Sequence, residues 1–204
     1  DPQQLAAVEA GGVLRLIQER VGAAELTEVH RFVEEAEADA SLQLRDGDTT
    51  AADFYLDRGR VKAGTREAMV EEVYAGWLAD TESGKAAVMV AGSNQDVTVL
   101  SAQARRDLVA AGRVEADGIT LADGTTAGRG DQIVTRRNER TLTTGSGRDF
   151  VKNGDVWTVL DRSETGVLRV RHSQHGNELT LPADYVGEHV QLAYAATVHR
   201  VQGM

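Results

Sequence analysis

The sequence predicts an α/β protein: a parallel sheet flanked by helices, with a small antiparallel β-barrel inserted in its second half. Three observations carry this. Ala86-Ala87-Val88-Met89-Val90-Ala91 is a continuous apolar run, the pattern of a parallel strand covered on both faces. On either side of it apolar residues recur at helical spacing. After Gly112 the period shortens, and runs of a few residues alternate between turns rich in Gly, Asp and Asn.

Taken in order, Ala10 to Val21 places Leu14, Ile17 and Val21 on one helix face, and Glu34 to Leu44 continues as a second amphipathic helix that Gly47 ends. Thr49-Thr50 opens a short helix through Asp53 to Leu56, and Arg60-Val61-Lys62 reads as a short strand. Thr65 is placed to cap a longer helix with Met69, Val73, Trp77 and Leu78 on its apolar face, and Gly84 marks the exit. The Ala86–Ala91 strand leads through Gly92-Ser93-Asn94 into a helix from Gln95 to Ala111.

Strands are then expected at 119–121, 132–135, 156–160, 167–171 and 178–181, with one helical turn from Pro182 to Tyr185 before the chain rejoins the main sheet. Leu168, Val170 and His172 alternate with Arg169 and Arg171, so one face of that strand turns to a core. Asn153-Gly154-Asp155 is a tight turn whose glycine must take a positive φ. The domain boundaries that follow are 1–112 with 188–204 for the α/β part and 113–187 for the insertion.

Composition bounds the rest. The chain has 204 residues, 41% of them hydrophobic, and no run long enough to span a bilayer, which suits one good core with a small satellite. It has no cysteine and no signal-like apolar start, which excludes a disulfide scaffold and a thiolate zinc site and predicts a soluble cytoplasmic protein. The net charge of −10 argues against a nucleic-acid partner, but the charge is uneven. Between positions 132 and 152, Arg136, Arg137, Arg140, Arg148 and Lys152 face only Glu139 and Asp149. A DNA path belongs there; a solvated strand-and-loop surface is the plainer alternative.

Several residue patterns carry possible chemistry. A strand followed by Gly92-Ser93-Asn94 and a helix start suits an anion, although Ser93 or Asn94 can equally be a simple N-cap. Thr197 and His199 flank Val198, so on a strand both would point to one side while Val198 points to the core, at the end of the sheet where α/β proteins hold ligands. Gln4 and Arg31 pair an amide with a guanidinium, groups suited to phosphate oxygens, though an arginine beside Phe32 is also an ordinary surface ion-pair residue. The five histidines lack ligand spacing, so no metal site is expected. Trp77 and Trp157 lie in apolar periodic patterns and are expected in the core; Trp157 could alternatively stack on a base.

Three short stretches add a resemblance. Asp1-Pro2-Gln3-Gln4-Leu5 resembles motif III of the superfamily 1 DNA helicases of the RecD-like and TraI-like branch, and Leu26-Thr27-Glu28-Val29-His30-Arg31-Phe32 resembles motif IV. Thr197-Val198-His199-Arg200-Val201-Gln202-Gly203 resembles motif V. The three stand in the family's order. Gly130-Asp131-Gln132-Ile133-Val134, Val151-Lys152-Asn153-Gly154-Asp155 and Leu179-Thr180-Leu181-Pro182 are similar to the SH3-like subdomain 2B of these helicases. The spacing, with Ala7-Val8-Glu9-Ala10-Gly11-Gly12, looks most like the helicase region of TrwC/TraI-type conjugative relaxases. The sequence departs from the family pattern at Val201, Arg200 and Ser101.

That resemblance implies a RecA-like motor domain, 2A, carrying the 2B insertion. It implies that Gln4, Arg31, Gln202 and Gly203 face ATP, which acts with Mg2+ in the intact parent. It also implies that Ser93, Asn94, Arg136, Arg137, Lys152, Thr197 and His199 meet single-stranded DNA. The chain begins and stops inside motifs and holds no GxxxxGK[ST] loop, so it is expected to be a piece of a longer helicase. The expected partner is the N-terminal RecA-like lobe of that parent, no nucleotide is expected on the fragment, and no membrane is involved. A nucleic-acid or peptide binding module working through the barrel is the alternative.

Overall fold

The computed structural model describes residues 13–22, 24, 32–144, 147 and 149–201, with the side chains of all but 14, 15 and 199. They fall into two compact units, residues 1–64 and residues 65–204.

In the first unit, α1 (Val13–Val21) ends at Gly22 with φ 76°, and α2 (Glu35–Arg45) ends at Gly47 with φ 89°, a left-handed position that costs glycine least. A single 3-10 turn at Thr49–Ala51 follows, and the Asp48 carboxylate caps it by accepting from the Thr50 amide at 3.0 Å and the Thr50 hydroxyl at 2.6 Å. Those two bonds hold the Asp48 carboxyl below the usual range. Then comes α3 (Ala52–Asp57), where the Arg58 guanidinium lies 3.6 Å from the centre of the Phe54 ring. Residues 60–62 are irregular instead of forming the expected strand; Arg60 is held there by Glu37 at 2.6 Å.

The second unit opens with α4 (Arg66–Glu82), capped by the Thr65 hydroxyl as expected. Its buried face is Tyr74 and Trp77, with Val70 and Leu78 against the core, while Val73 is exposed. The face is rotated from the expected one because Tyr74 donates to Asp107 and the Trp77 indole donates to the Ala87 carbonyl at 3.2 Å. Strand β1 (Met89–Ala91) is shorter than the apolar run that announced it. Met89 is buried but Val90 is 40% exposed, so the strand is covered on one face and not on both. Helix α5 (Asn94–Ala110) buries Val97, Leu100, Ser101, Ala104 and Leu108, a stripe at helical spacing.

After α5 come β2 (Ile119–Thr120), β3 (Thr126–Ala127), β4 (Gln132–Thr135), β5 (Glu139–Thr143), β6 (Phe150–Val151), β7 (Val156–Arg162), β8 (Leu168–His172) and β9 (Glu178–Leu181). Helix α6 (Ala183–His189) is longer than the single turn expected and leads to β10 (Val190–Leu192) and β11 (Ala195–Thr197). A four-residue helix α7 (Val198–Val201) completes the described chain. Five strands form one antiparallel sheet in the order β10-β4-β7-β8-β9, and β2-β3 and β5-β6 are separate antiparallel pairs. No closed barrel forms among the described residues. β1 pairs with β11 in parallel, which makes the unit mixed α/β.

The alternation read in β8 is real: Leu168, Val170 and His172 are buried and Arg169 and Arg171 exposed. Trp157, 1% exposed, lies in the core with Val159, Leu181 and Ile133, so it packs and does not present itself for stacking. That cluster is continuous with Trp77, Leu100 and Met89, giving this unit one core. Gly154 has φ 97°, as its turn requires. No described helix is long and apolar enough to cross a membrane.

Asp131 fixes the start of β4. It is fully buried, accepts from Arg105 Nε at 2.8 Å, from the Gly128 amide at 2.7 Å and from the Tyr194 hydroxyl at 2.7 Å, while Arg105 also reaches the carbonyls of Glu115 and Ala116. Both carboxylate oxygens of Asp131 therefore have partners, as do Nε and Nη2 of Arg105, the condition under which a buried charge is tolerated. Burial and the Asp131 charge together push the Tyr194 phenol far up from its ordinary value. Gly128 has no room for a side chain, since a Cβ there would lie 2.2 Å from the Asp117 carbonyl oxygen.

Candidate functional site

Two parallel strands end side by side. In the β1–β11 register Ala91 lies opposite Thr197, so the Gly92-Ser93-Asn94 turn and the start of α7 leave the sheet at the same edge. This is where α/β sheets present ligand groups. Ser93 is the N-cap of α5: its hydroxyl accepts from the Asp96 amide at 3.1 Å and donates to the Asp96 carboxylate at 2.7 Å. Asp96 also takes Arg66, and these contacts hold its carboxyl below the usual range, with the Ser93 bond the largest cause. Asn94 is exposed in the first turn of that helix. The capping reading of Ser93 is thus the one its geometry supports directly.

Thr197 is half-buried at the last position of β11. The chain turns helical at Val198, so Thr197 and His199 are not neighbours on one strand face, and Val198 is 61% exposed instead of in the core. The expected alternation fails because the helix starts two residues early for it. Residue 199 is described by its backbone alone, within α7. Ser101, one of the departures from the family pattern, is buried in α5 and has no bearing on a surface contact.

The basic stretch is brought together at the end of β4. The Arg136 amide donates to the His189 carbonyl at 2.7 Å, extending the β4–β10 pairing. The Thr135 hydroxyl donates to the Lys152 carbonyl at 2.7 Å and the Asn138 side chain accepts from the Asn153 amide at 2.8 Å, which ties the 152–155 turn to the same place. Arg137 approaches the His189 ring nitrogen at 3.1 Å, and Lys152 pairs with Asp149 at 2.7 Å. The Arg140 and Lys152 cations stand 5.5 and 5.6 Å from the centre of the Phe150 ring.

What the residue patterns did not reveal is a link between the two places. Gln191 of β10 accepts from Arg136 Nε at 2.8 Å and from Arg200 Nη1 at 3.3 Å, so α7 is joined to the end of β4. Nothing in the local sequence around Gln191 announces this role; the strand pairing creates it. Gln4, Arg31, Gln202, Gly203 and Arg148 lie outside the described residues. Among the described residues no group of three or more His, Asp or Glu is placed to hold a metal ion.

Over its whole length the chain is 31% identical to a probable conjugal transfer protein TraA of Sinorhizobium fredii (strain NBRC 101917 / NGR234). It is thus similar to a segment of a conjugal transfer protein. The identity is again 31% over the whole chain for conjugal transfer protein TraA of Agrobacterium fabrum (strain C58 / ATCC 33970) and for that of Rhizobium radiobacter. The chain spans 18% of the length of each of these TraA relatives. A family described as an AAA domain matches residues 1–66. The resemblance read in the motifs, to the helicase part of conjugative relaxases, agrees with both findings.

Proposed function

We propose that this chain is the second motor-lobe segment of an ATP-dependent DNA helicase within a conjugative relaxase. In this reading 1–112 and 188–204 are the RecA-like domain 2A and 113–187 is the SH3-like insertion 2B. Single-stranded DNA runs over Ser93, Asn94, Thr197 and His199 and the Arg136, Arg137 and Lys152 cluster. Gln4, Arg31, Gln202 and Gly203 contribute half of an ATP cleft completed by an N-terminal lobe of the same cytoplasmic parent. The observation that carries the reading is the parallel register of Ala91 with Thr197, which gives the 92–94 turn and the end of β11 a common edge.

A guanidinium and an amide, as at Arg31 and Gln4, fit phosphoryl oxygens. Among the described residues no group of three or more His, Asp or Glu is placed to hold Mg2+. Without a GxxxxGK[ST] run in its 204 residues, the chain by itself is expected to turn over no ATP and unwind no DNA. DNA-stimulated ATPase from the purified chain would contradict that.

The direct test is single-stranded DNA binding by fluorescence anisotropy at two salt concentrations. Weak binding that falls steeply with salt is expected, with Thr197→Ala costing about threefold to tenfold. Salt-independent binding, or none, sinks the reading. A second reading, a nucleic-acid module working through the 113–187 insertion alone, is favoured by Phe150 of the β5–β6 pair, which has two cations near its ring. It predicts that Phe150→Ala abolishes binding while Thr197→Ala leaves it intact.

A further inference from the structure

Several cations of the second unit lie against carboxylates, as Lys85 does with Asp80, Arg105 with Asp131, Lys152 with Asp149 and Arg162 with Glu115. Arg136 and Arg200 instead share an amide. Among the described residues neither has a carboxylate within 4.0 Å, and both donate to one neutral oxygen, Gln191 Oε1, at 2.8 and 3.3 Å. An amide oxygen has two lone pairs and can accept both, but it brings no charge to offset two guanidinium groups. Burial first, and then the Arg200 charge, push the Arg136 guanidinium down to about 10, against the pull of Asp123. A carboxylate at 191 would relieve this repulsion. Glutamine instead fixes where both arginines point and leaves the positive charge unspent.

The geometry also leaves donors free. Arg136 uses Nε and Arg200 uses Nη1, so both Nη groups of Arg136 and the Nε and Nη2 groups of Arg200 have no partner among the described residues. Arg136 is half-buried and Arg200 exposed, so the opening is toward solvent, three positions along from Thr197. Two planar forks held at a fixed separation match an oxyanion with two equivalent oxygens. Arg137 is engaged by His189 and Lys152 by Asp149, so of the three cations Arg136, Arg137 and Lys152 it is Arg136, joined by Arg200 at the shared glutamine, that keeps two guanidinium groups together without a countercharge.

We infer that Arg136, Gln191 and Arg200 form a seat for one phosphodiester of a single DNA strand, gripped by both guanidinium groups at once. This rests on the DNA reading above and narrows it: of the basic cluster, Arg136 joined by Arg200 takes the backbone phosphate, and Arg137 and Lys152 contribute less.

The test uses the 204-residue chain with a labelled oligothymidylate by anisotropy, and with dimethyl phosphate and inorganic phosphate by NMR of the arginine Nε–H groups. Arg136→Gln and Arg200→Gln should each weaken oligonucleotide binding about tenfold. Each should also lower the slope of log affinity against log salt by roughly 0.7, the value for one phosphate on a single strand. The double variant should lose little more than either single one, because both groups serve the same phosphate. Arg137→Gln and Lys152→Gln should cost less than either.

Gln191→Glu should abolish the site while raising the thermal midpoint, since the new carboxylate pairs with both arginines; a purely structural role for Gln191 would not move binding and stability in opposite directions. Additive losses in the double variant, an unchanged salt slope, or full binding by Arg136→Gln and Arg200→Gln in chains that circular dichroism reports as folded would overturn the seat while leaving DNA binding standing. If the unaltered chain binds no oligonucleotide, the DNA reading fails, and the seat is judged on dimethyl phosphate alone: shifts at the Arg136 and Arg200 Nε–H groups support it, and their absence ends it. Tighter binding of inorganic phosphate than of dimethyl phosphate would likewise refute the assignment to a phosphodiester.

Discussion

Residues 1–64 and residues 65–204 differ most in what they bury. In the second unit Trp157, Leu100, Ile133, Leu168 and Met89 are at most 2% exposed and belong to one cluster. In the first, Ala40 and Ala51 are the buried apolar residues among those described, while Val13, Val21 and Val33 are 68, 80 and 104% exposed. Yet the AAA-domain match lies on residues 1–66. A family pattern and a packed interior are therefore different kinds of constraint: one preserves residue types for a task, the other fills space.

That contrast can be broken most directly at the buried pair. Asp131→Ala should destabilise the second unit by about 3–5 kcal/mol in urea titration, because it leaves Arg105 facing carbonyls with no countercharge. Leu100→Ala, 1% exposed at the centre of α5, should cost about 2–5 kcal/mol by the same measurement. A loss near zero at either position would mean that the interior described here is not what holds the unit together.

A pH titration sharpens the comparison within the second unit. His172 is stacked on His175 with ring centres 3.7 Å apart, and burial, followed by the His175 charge, lowers its proton affinity while Asp155 opposes the shift. A folded value below the unfolded 6.5 means that the unfolded chain binds the extra proton first. Stability should therefore be complete above about pH 6.5 and decline as pH falls from there toward the folded value. His172→Phe should flatten that part of the profile in thermal melts; an unchanged profile would remove His172 from the account. The smallest effect is expected in the first unit, where Leu56→Ala, 51% exposed, should change stability by no more than about 0.5 kcal/mol. A cost several times larger would show that this unit has a core of its own.

The sequence made some of this legible for identifiable reasons. Thr65, Gly47 and Gly154 are local devices whose meaning depends on a few neighbours, and each is where the pattern placed it. The alternation in β8 was readable because a half-buried strand writes its two faces in period two. Strands β3, β5 and β6 were not, since two of them are only two residues long and β5 shows no clean alternation of burial. The apolar face of α4 was misplaced by one position because contacts with Asp107 and Ala87, remote in sequence, decide its rotation. At the candidate site the basic stretch and Thr197 stood out, but the strand pairing that sets Gln191 between Arg136 and Arg200 is a tertiary fact with no local signature.

The parallel pairing of Met89 with Ala195 has a consequence for how the protein comes into being. Its partners are separated by on the order of a hundred residues, whereas β7 and β8 are joined by a single tight turn at Gly166. Closing so long a segment unaided is slow, so the antiparallel meander must condense first and carry β11 back to β1. During synthesis α4 and α5 can cover β1 early, but its edge toward β11 waits for its strand partner until residue 197 has left the ribosome, and a stalled chain would leave that edge open to chaperones or to its neighbours.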